Sequence, residues 1–308
     1  MMTFLKWAVI FLGVIVLLIV GGVVAFFLRT NGMLASTYDV DPAPVAILDD
    51  SASLSRGAHL AVIMGCEDCH GENLAGKPFI EEPVMAVIFA TNLTSGQGGI
   101  GASHGDADMV RSIRHGVRAD GTSVWFMPSH DYWYLSDADL GAVIAHVRSM
   151  PPVDNTGPVR EIGPIGRLLL VSGQIPAFLP AAGIEHEAPR PTAPREAVTA
   201  AYGEYLARPC SGCHQREFSG GMMPGAMPDA PLVPNLTPTG NLRNWSEAEF
   251  ITALRTGTTP EGRQLNAEFM PISATMQMTD DEMRAVFLFL QSLPPRETPS
   301  MPVLTSGG

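Results

Sequence analysis

One five-residue pattern of thiols and an imidazole occurs twice in this chain. Cys-x-x-Cys-His spans 66–70 and again 210–214, and the two copies use all four cysteines of the sequence. Two thiols three residues apart on a helical turn lie on the same side, with the next histidine beside them. Such a group can exchange thiols with disulfides, form half of a zinc site or attach a porphyrin through thioethers.

The histidine directly after each second cysteine favours c-type haem attachment over the other two chemistries. A zinc site would need two more ligands, and a disulfide scaffold would need further cysteines, which the sequence lacks. In each motif the thiols can bond the two vinyl groups of one haem while the histidine binds the iron. We therefore predict two covalently attached haem c groups, held by Cys66, Cys69 and His70 and by Cys210, Cys213 and His214.

An electron-transfer haem needs a sixth iron ligand, which in cytochromes c is usually methionine. Among 16 methionines, Met127 and Met270 occupy matching places, 57 and 56 residues after the motif histidines, and a proline follows each. We predict that these two are the distal ligands. The competing side chains are His130, His104 and His115 in the first half and Met276 and Met278 in the second.

Beyond position 50 the chain is one module written twice, about 143 residues apart. Each copy has helix signals, with Ser136 and Thr279 as N-caps of a last helix that a Pro-Pro pair ends. Alternating apolar and polar residues are scarce, so we expect little sheet and an all-α fold. The predicted divisions are 1–30 (transmembrane anchor), 31–50 (linker), 51–155 (first domain), 156–195 (extended connecting segment), 196–297 (second domain) and 298–308 (C-terminal tail).

The N-terminal segment predicts a membrane anchor. Trp7 to Leu28 is a run of 22 residues without a charge, long enough to cross a bilayer core. A cleaved signal peptide would have a shorter apolar region and a small-x-small cleavage site, and it stays open as the alternative. Because the haem motifs belong outside the cytoplasm, we expect a single pass through the cytoplasmic (inner) membrane with the globular part in the periplasm. The net charge of −12 argues against nucleic acid as a partner.

The sequence resembles the class I c-type cytochromes of the dihaem group. It is similar to cytochrome c subunits of membrane-bound periplasmic alcohol and gluconate dehydrogenases, over about 51–152 and 197–295. The resemblance implies a cytochrome c fold around each haem, with His70 and His214 as proximal ligands and Met127 and Met270 as distal ones. Besides the two haem motifs, it is carried by Asn92-Leu93-Thr94, Asn235-Leu236-Thr237, Gly99-Ile100-Gly101, Arg114-His115-Gly116-Val117, Met127-Pro128, Leu135 to Leu140 and Ser149 to Pro152.

These features predict an electron-transfer protein or a subunit of an oxidoreductase complex, and not an enzyme by itself. The expected redox partners are a dehydrogenase, a quinol-oxidising complex or a terminal oxidase. One alternative is a dihaem peroxidase, which would need one haem with an open distal side. Another is a haem-bearing accessory subunit that docks within a respiratory supercomplex.

Overall fold

The chain is mainly helical. The computed structural model describes residues 2–190, 192–223, 230–267 and 269–299, so the predicted tail at 298–308 lies outside the described residues from 300 onward. Its α-helices are α1 (Met2–Leu34), α2 (Ser51–Ile63), α3 (Cys66–His70), α4 (Asp106–His115), α5 (Ser129–Tyr132), α6 (Asp137–Ser149), α7 (Pro164–Val171), α8 (Ala200–Ala207), α9 (Ser211–His214), α10 (Glu247–Thr256), α11 (Ile272–Thr275) and α12 (Asp280–Ser292).

Helix α1 contains the predicted span. Among the described residues, it is the one helix long and apolar enough to cross a membrane, with a mean hydropathy of 3.1 over 18 residues. Length and composition would suit a signal sequence equally well. The helix continues past the predicted end of the anchor at 30, because Met33 and Leu34 pack on an apolar cluster that includes Leu170 and Phe178.

The first and last helices of each module cross at a glycine. A Cβ on Gly57 of α2 would lie 1.9 Å from the carbonyl oxygen of Ala142 in α6, and one on Gly203 of α8 would lie 1.8 Å from that of Ala285 in α12. Glycine within a helix costs about 1 kcal/mol relative to alanine, so the close approach of the two backbones explains its presence. The repeat seen in the sequence thus reappears as the same helix crossing in both modules.

A small antiparallel sheet departs from the predicted all-α fold. Strands β1 (Pro78–Glu82) and β2 (Ala86–Phe89) form a hairpin, and β3 (Glu161–Ile162) pairs with the other edge of β2. Strand β2 is four apolar residues long and contains no polar residues. Because it lacks the alternation that marks a strand, the sequence did not predict it. The all-α prediction is therefore correct only in its main features.

Both segments outside the modules pack on the first module. Beyond the end of α1 the predicted linker is extended, but Tyr38 N donates to Gly121 O at 2.8 Å and Val40 O accepts from Arg111 Nε at 2.9 Å. The predicted extended connection contains β3, α7 and two 3₁₀ turns, and it buries Phe178. The connection is therefore packed and not loose.

Candidate functional site: the two Cys-x-x-Cys-His motifs and the interface between them

Each Cys-x-x-Cys-His motif forms a short helical turn directly after the first helix of its module. The first motif is α3, and the second runs through a 3₁₀ turn, Arg208–Cys210, into α9. All four thiols are free and half-buried. Burial raises the pKa of Cys66 and of Cys210 to about 12, so both thiols are neutral in the folded chain. The two pairs are therefore available for thioether formation with a haem.

The motif histidines are held in the same way by a backbone carbonyl. Nδ1 of His70 lies 2.7 Å from Thr91 O, and Nδ1 of His214 lies 2.9 Å from Pro234 O. Since a carbonyl oxygen can only accept, Nδ1 carries the proton in both rings and Nε2 keeps its lone pair. Burial also lowers the pKa of both histidines, which favours the neutral ring. This arrangement fits an axial ligand whose second nitrogen is fixed by a hydrogen bond.

The carbonyls that hold the histidines belong to two matching loops. Asn92 Oδ1 accepts from Thr94 N at 2.9 Å, and its Nδ2 donates to Val153 O at 2.8 Å. In the second module, Asn235 Oδ1 accepts from Thr237 N at 2.8 Å, and its Nδ2 donates to Arg296 O at 2.8 Å. Each asparagine thus ties the loop to the segment after the last helix and fixes the carbonyl that orients the histidine.

The two predicted distal methionines have equivalent local structure. Met127 and Met270 are partly buried against the same apolar core, which both modules share. The proline after each one is the N-cap of a one-turn helix, α5 or α11. The backbone folds back in the same way at both sites, with Ser129 N donating to Met127 O at 2.8 Å and Ile272 N to Met270 O at 2.7 Å. Their role as iron ligands stays a prediction.

The competing histidines are engaged elsewhere. His115 lies with its Nδ1 3.2 Å from Nδ1 of His186, His104 has its Nδ1 3.0 Å from Ser103 Oγ, and His130 Nε2 lies 3.5 Å from Asp131 Oδ1. In the second module, Met276 is exposed and Met278 is buried in the core.

Several buried N–H groups of the first module have no acceptor in the described polypeptide, and two of them lie in the loop between α4 and Met127. These two are Nε1 of Trp125 and Nη2 of Arg118, and Arg160 lies with its guanidinium carbon 5.4 Å from the Trp125 ring centroid. Burial, together with the charge of Arg160, lowers the pKa of Arg118 to about 10. An unpaired buried donor costs about 1–3 kcal/mol of folding free energy, so these N–H groups need an acceptor. The charges of Arg118 and Arg160 favour an anionic one. The propionates of a haem are acceptors of this kind, and the residues present therefore fit the group.

Sequence reasoning missed this donor cluster. Trp245 of the second module has no such unpaired donor, because its Nε1 donates to Glu261 Oε1 at 2.9 Å. The matching phrase of the second module has Thr259 in place of Arg118, because Gly116-Val-Arg aligns with Gly257-Thr-Thr. The signal that could have found the cluster was therefore a difference between the repeats rather than a shared motif.

The two modules pack on each other through reciprocal polar contacts. Tyr205 Oη, in the second module, donates to Asp139 Oδ2 in the first at 2.6 Å. His59 Nε2, in the first module, lies 2.8 Å from Glu282 Oε1 in the second. Asp139 and Glu282 are the third residues of α6 and α12, so the two contacts are equivalent in the repeat. Arg56 lies between them, with its Nε 2.9 Å from Asp139 Oδ1.

The same reciprocity brings each motif against the other module. Ser273, in the helix after Met270, donates to Asp68 Oδ1 of the first motif at 3.0 Å. Conversely, Asp131, in the helix after Met127, approaches the second motif, where a Cβ on Gly212 would lie 3.3 Å from its Oδ2. Burial raises the pKa of Asp131 to about 7. The two candidate sites therefore meet at the interface, where each motif adjoins the helix after the opposite methionine.

Comparison with known proteins indicates which class of protein the chain resembles. Residues 200–294 match the family model described as Cytochrome c, and a cytochrome c domain carries covalently bound haem c. Most of the chain is similar to the cytochrome c subunit of a quinone alcohol dehydrogenase from Gluconacetobacter polyoxogenes, with 28% identity over 305 residues, 88% of this chain and 60% of that protein.

Two further relatives have related names. They are the fructose dehydrogenase cytochrome subunit of Gluconobacter japonicus (29% identity, 79% of this chain, 53% of the relative) and a nicotinate dehydrogenase subunit of Pseudomonas putida (26%, 89% and 24%). The chain thus spans 60% or less of the length of each of these relatives. The predicted resemblance to dehydrogenase cytochrome subunits and the predicted class, an electron-transfer protein rather than a catalytic subunit, are both confirmed.

Proposed function

We propose that this protein is a membrane-anchored dihaem c-type cytochrome that carries electrons from a dehydrogenase on the periplasmic side of the cytoplasmic membrane. The haem iron supplies one-electron chemistry, and the polypeptide attaches, orients and surrounds it. The residues that would hold the two groups are Cys66, Cys69, His70 and Met127 in the first module and Cys210, Cys213, His214 and Met270 in the second.

The number of haems rests on the equivalence of the two sites. In both modules the motif histidine donates from Nδ1 to a backbone carbonyl, and that carbonyl lies in a loop fixed by an asparagine. A module that had lost its cofactor would have no reason to keep its histidine in this orientation. The first module therefore supports a second haem beside the one expected for residues 200–294.

The observation that carries the proposal is the reciprocal contact between the motif of each module and the methionine-bearing segment of the other. Ser273 and Asp68 make one side of it, and Asp131 and Gly212 make the other. Because the two sites adjoin, an electron that enters one module can pass to the other without movement of the domains.

The relatives support a dehydrogenase as the electron donor, since each is a named part of one. A terminal oxidase as the acceptor, or a quinol-oxidising complex as another donor, rests on the class of protein alone. The membrane location rests on α1, which has the length of a span and emerges beside the first module.

The haem content per chain tests the proposal. We expect two haems per polypeptide from the pyridine haemochrome spectrum, and one in each of the paired variants Cys66→Ala/Cys69→Ala and Cys210→Ala/Cys213→Ala. A single haem in the unmodified protein, lost only in the second variant, would contradict the dihaem assignment.

A further inference from the structure

Helix α7, in the connecting segment, is fastened to the end of the candidate membrane span. Arg167 Nη1 donates to Thr30 Oγ1 at 2.6 Å and to Asn31 Oδ1 at 2.8 Å. Its guanidinium carbon also lies 5.1 Å from the ring centroid of Phe27. Phe27 is the last residue but one of the uncharged run that ends at Leu28. With a rise of about 1.5 Å per residue, α7 therefore lies within a few ångströms of the level where the span ends.

The face of α7 that points away from the protein is apolar. Leu168 is 58% exposed and Ile165, three residues earlier on the same face, is 48% exposed. Val84, in the turn between β1 and β2, is 55% exposed and adjoins them, since Ile165 N donates to Val84 O at 3.0 Å. These three exposed apolar side chains lie on two adjoining segments, and we call them the foot.

The opposite face of α7 is locked onto the first module. Leu170 is buried, and Gly166 lies so close to the hairpin that a Cβ there would stand 2.1 Å from Met85 O. The orientation of the helix is thus fixed by packing, and the foot cannot turn inward. Arg167 is the one charged residue of α7, and it reaches back to α1 rather than out across the foot.

We propose that the foot is a second membrane contact, in which Val84, Ile165 and Leu168 enter the boundary between lipid headgroups and acyl chains. This inference rests on the proposed role of α1 as an anchor. A lipid surface is the occupant that the structure favours, because the foot continues from the point where the span leaves the bilayer. Short amphipathic helices with an apolar outer face bind this boundary, and an arginine beside them can keep its head at the interface.

The consequence for function is a fixed orientation of the first module. Phe178, just after α7, accepts a hydrogen bond at its carbonyl from Phe126 N at 3.1 Å, and Phe126 precedes Met127. The segment that bears the predicted distal ligand is therefore connected to the foot by one short stretch of chain. A single transmembrane helix can tilt together with the module, whereas a second contact would restrict the tilt of the module against the bilayer.

Photolabelling of the holoprotein in phospholipid nanodiscs tests the foot. The probe is a phosphatidylcholine with a diazirine near the glycerol end of an acyl chain, and labelled peptides are mapped by mass spectrometry. We expect label in α1, in α7 and in the 83–85 turn, and none at Leu288, a 40% exposed residue of α12 that serves as the internal reference. Ile165→Gln/Leu168→Gln should reduce the α7 label by about threefold or more while α1 labelling and the haem spectrum stay unchanged. Leu288→Gln is the matched control and should change nothing.

The outcomes separate the foot from the anchor. Label in α1 with α7 no higher than Leu288 would overturn the foot, leave the anchor intact and assign the apolar face to a protein partner. Label in α7 without α1 would support the foot and overturn the anchor. An absence of label from both would overturn both.

Discussion

Replacing Tyr205 with phenylalanine removes one hydroxyl from the centre of the module interface. Its Oη donates to Asp139 Oδ2 at 2.6 Å and accepts from Ser136 N at 3.1 Å, and the residue is buried. The variant leaves a buried N–H without an acceptor, which costs about 1–3 kcal/mol, and deletes a hydrogen bond to a carboxylate, worth about 1.5–3 kcal/mol. Since Arg56 still pairs with Asp139, we expect a total loss of about 2–4 kcal/mol.

The matched control is Tyr202→Phe, one turn earlier on α8. Tyr202 Oη accepts only a long bond of 3.4 Å from Arg56 Nη1, so its loss should cost less than about 1 kcal/mol. The assay is denaturant unfolding of the holoprotein in detergent, followed by Soret absorbance and far-ultraviolet circular dichroism. Equal destabilisation by the two variants, or none by Tyr205→Phe, would refute the assignment of Tyr205 as the main polar contact between the modules.

Three further predictions concern the haem environment, the helix crossing and pH. Arg118→Gln removes a positive charge from the donor cluster. It should therefore lower the midpoint potential of one haem and leave that of the other unchanged in a spectroelectrochemical titration. Equal shifts in both haems would contradict the placement of Arg118 beside the first haem. Gly203→Ala should destabilise the protein by more than about 2 kcal/mol, since its Cβ would lie 1.8 Å from a backbone carbonyl, whereas Gly183→Ala, which meets nothing within 4 Å, should be neutral in thermal unfolding. Burial and the neighbouring His186 lower the pKa of His115 to about 4. The folded state therefore binds a proton at His115 less readily than the unfolded state does. The free energy of unfolding should fall as the pH drops from about 6.5 to 4. His115→Gln should flatten that part of the curve of unfolding free energy against pH, and an unchanged slope would contradict the argument.

The sequence was most informative where one residue type at one spacing serves a single chemistry. The Cys-x-x-Cys-His motifs and the uncharged run at 7–28 each define their element without knowledge of the fold. The cytochrome class that the motifs predicted is confirmed by the match of residues 200–294. The ligand set and the domain boundaries stay predictions.

The features that the sequence did not predict depend on tertiary contacts. The four residues of β2 become a strand because β1 and β3 flank them, and nothing in their own pattern separates a strand from a helix. The interface pairs Tyr205 with Asp139 across 66 positions, which no local pattern reveals. Likewise, Arg118 and Trp125 are ordinary loop residues until burial leaves their N–H groups without acceptors in the described chain.

The most direct test of a two-haem carrier is the ferric absorption spectrum of the purified protein, with the far-red band of methionine–iron ligation measured per haem. We expect two methionine-ligated haems, and half of the band lost in each of Met127→Ala and Met270→Ala. One methionine-ligated haem beside a high-spin or bis-histidine haem would contradict the carrier function and favour a dihaem peroxidase.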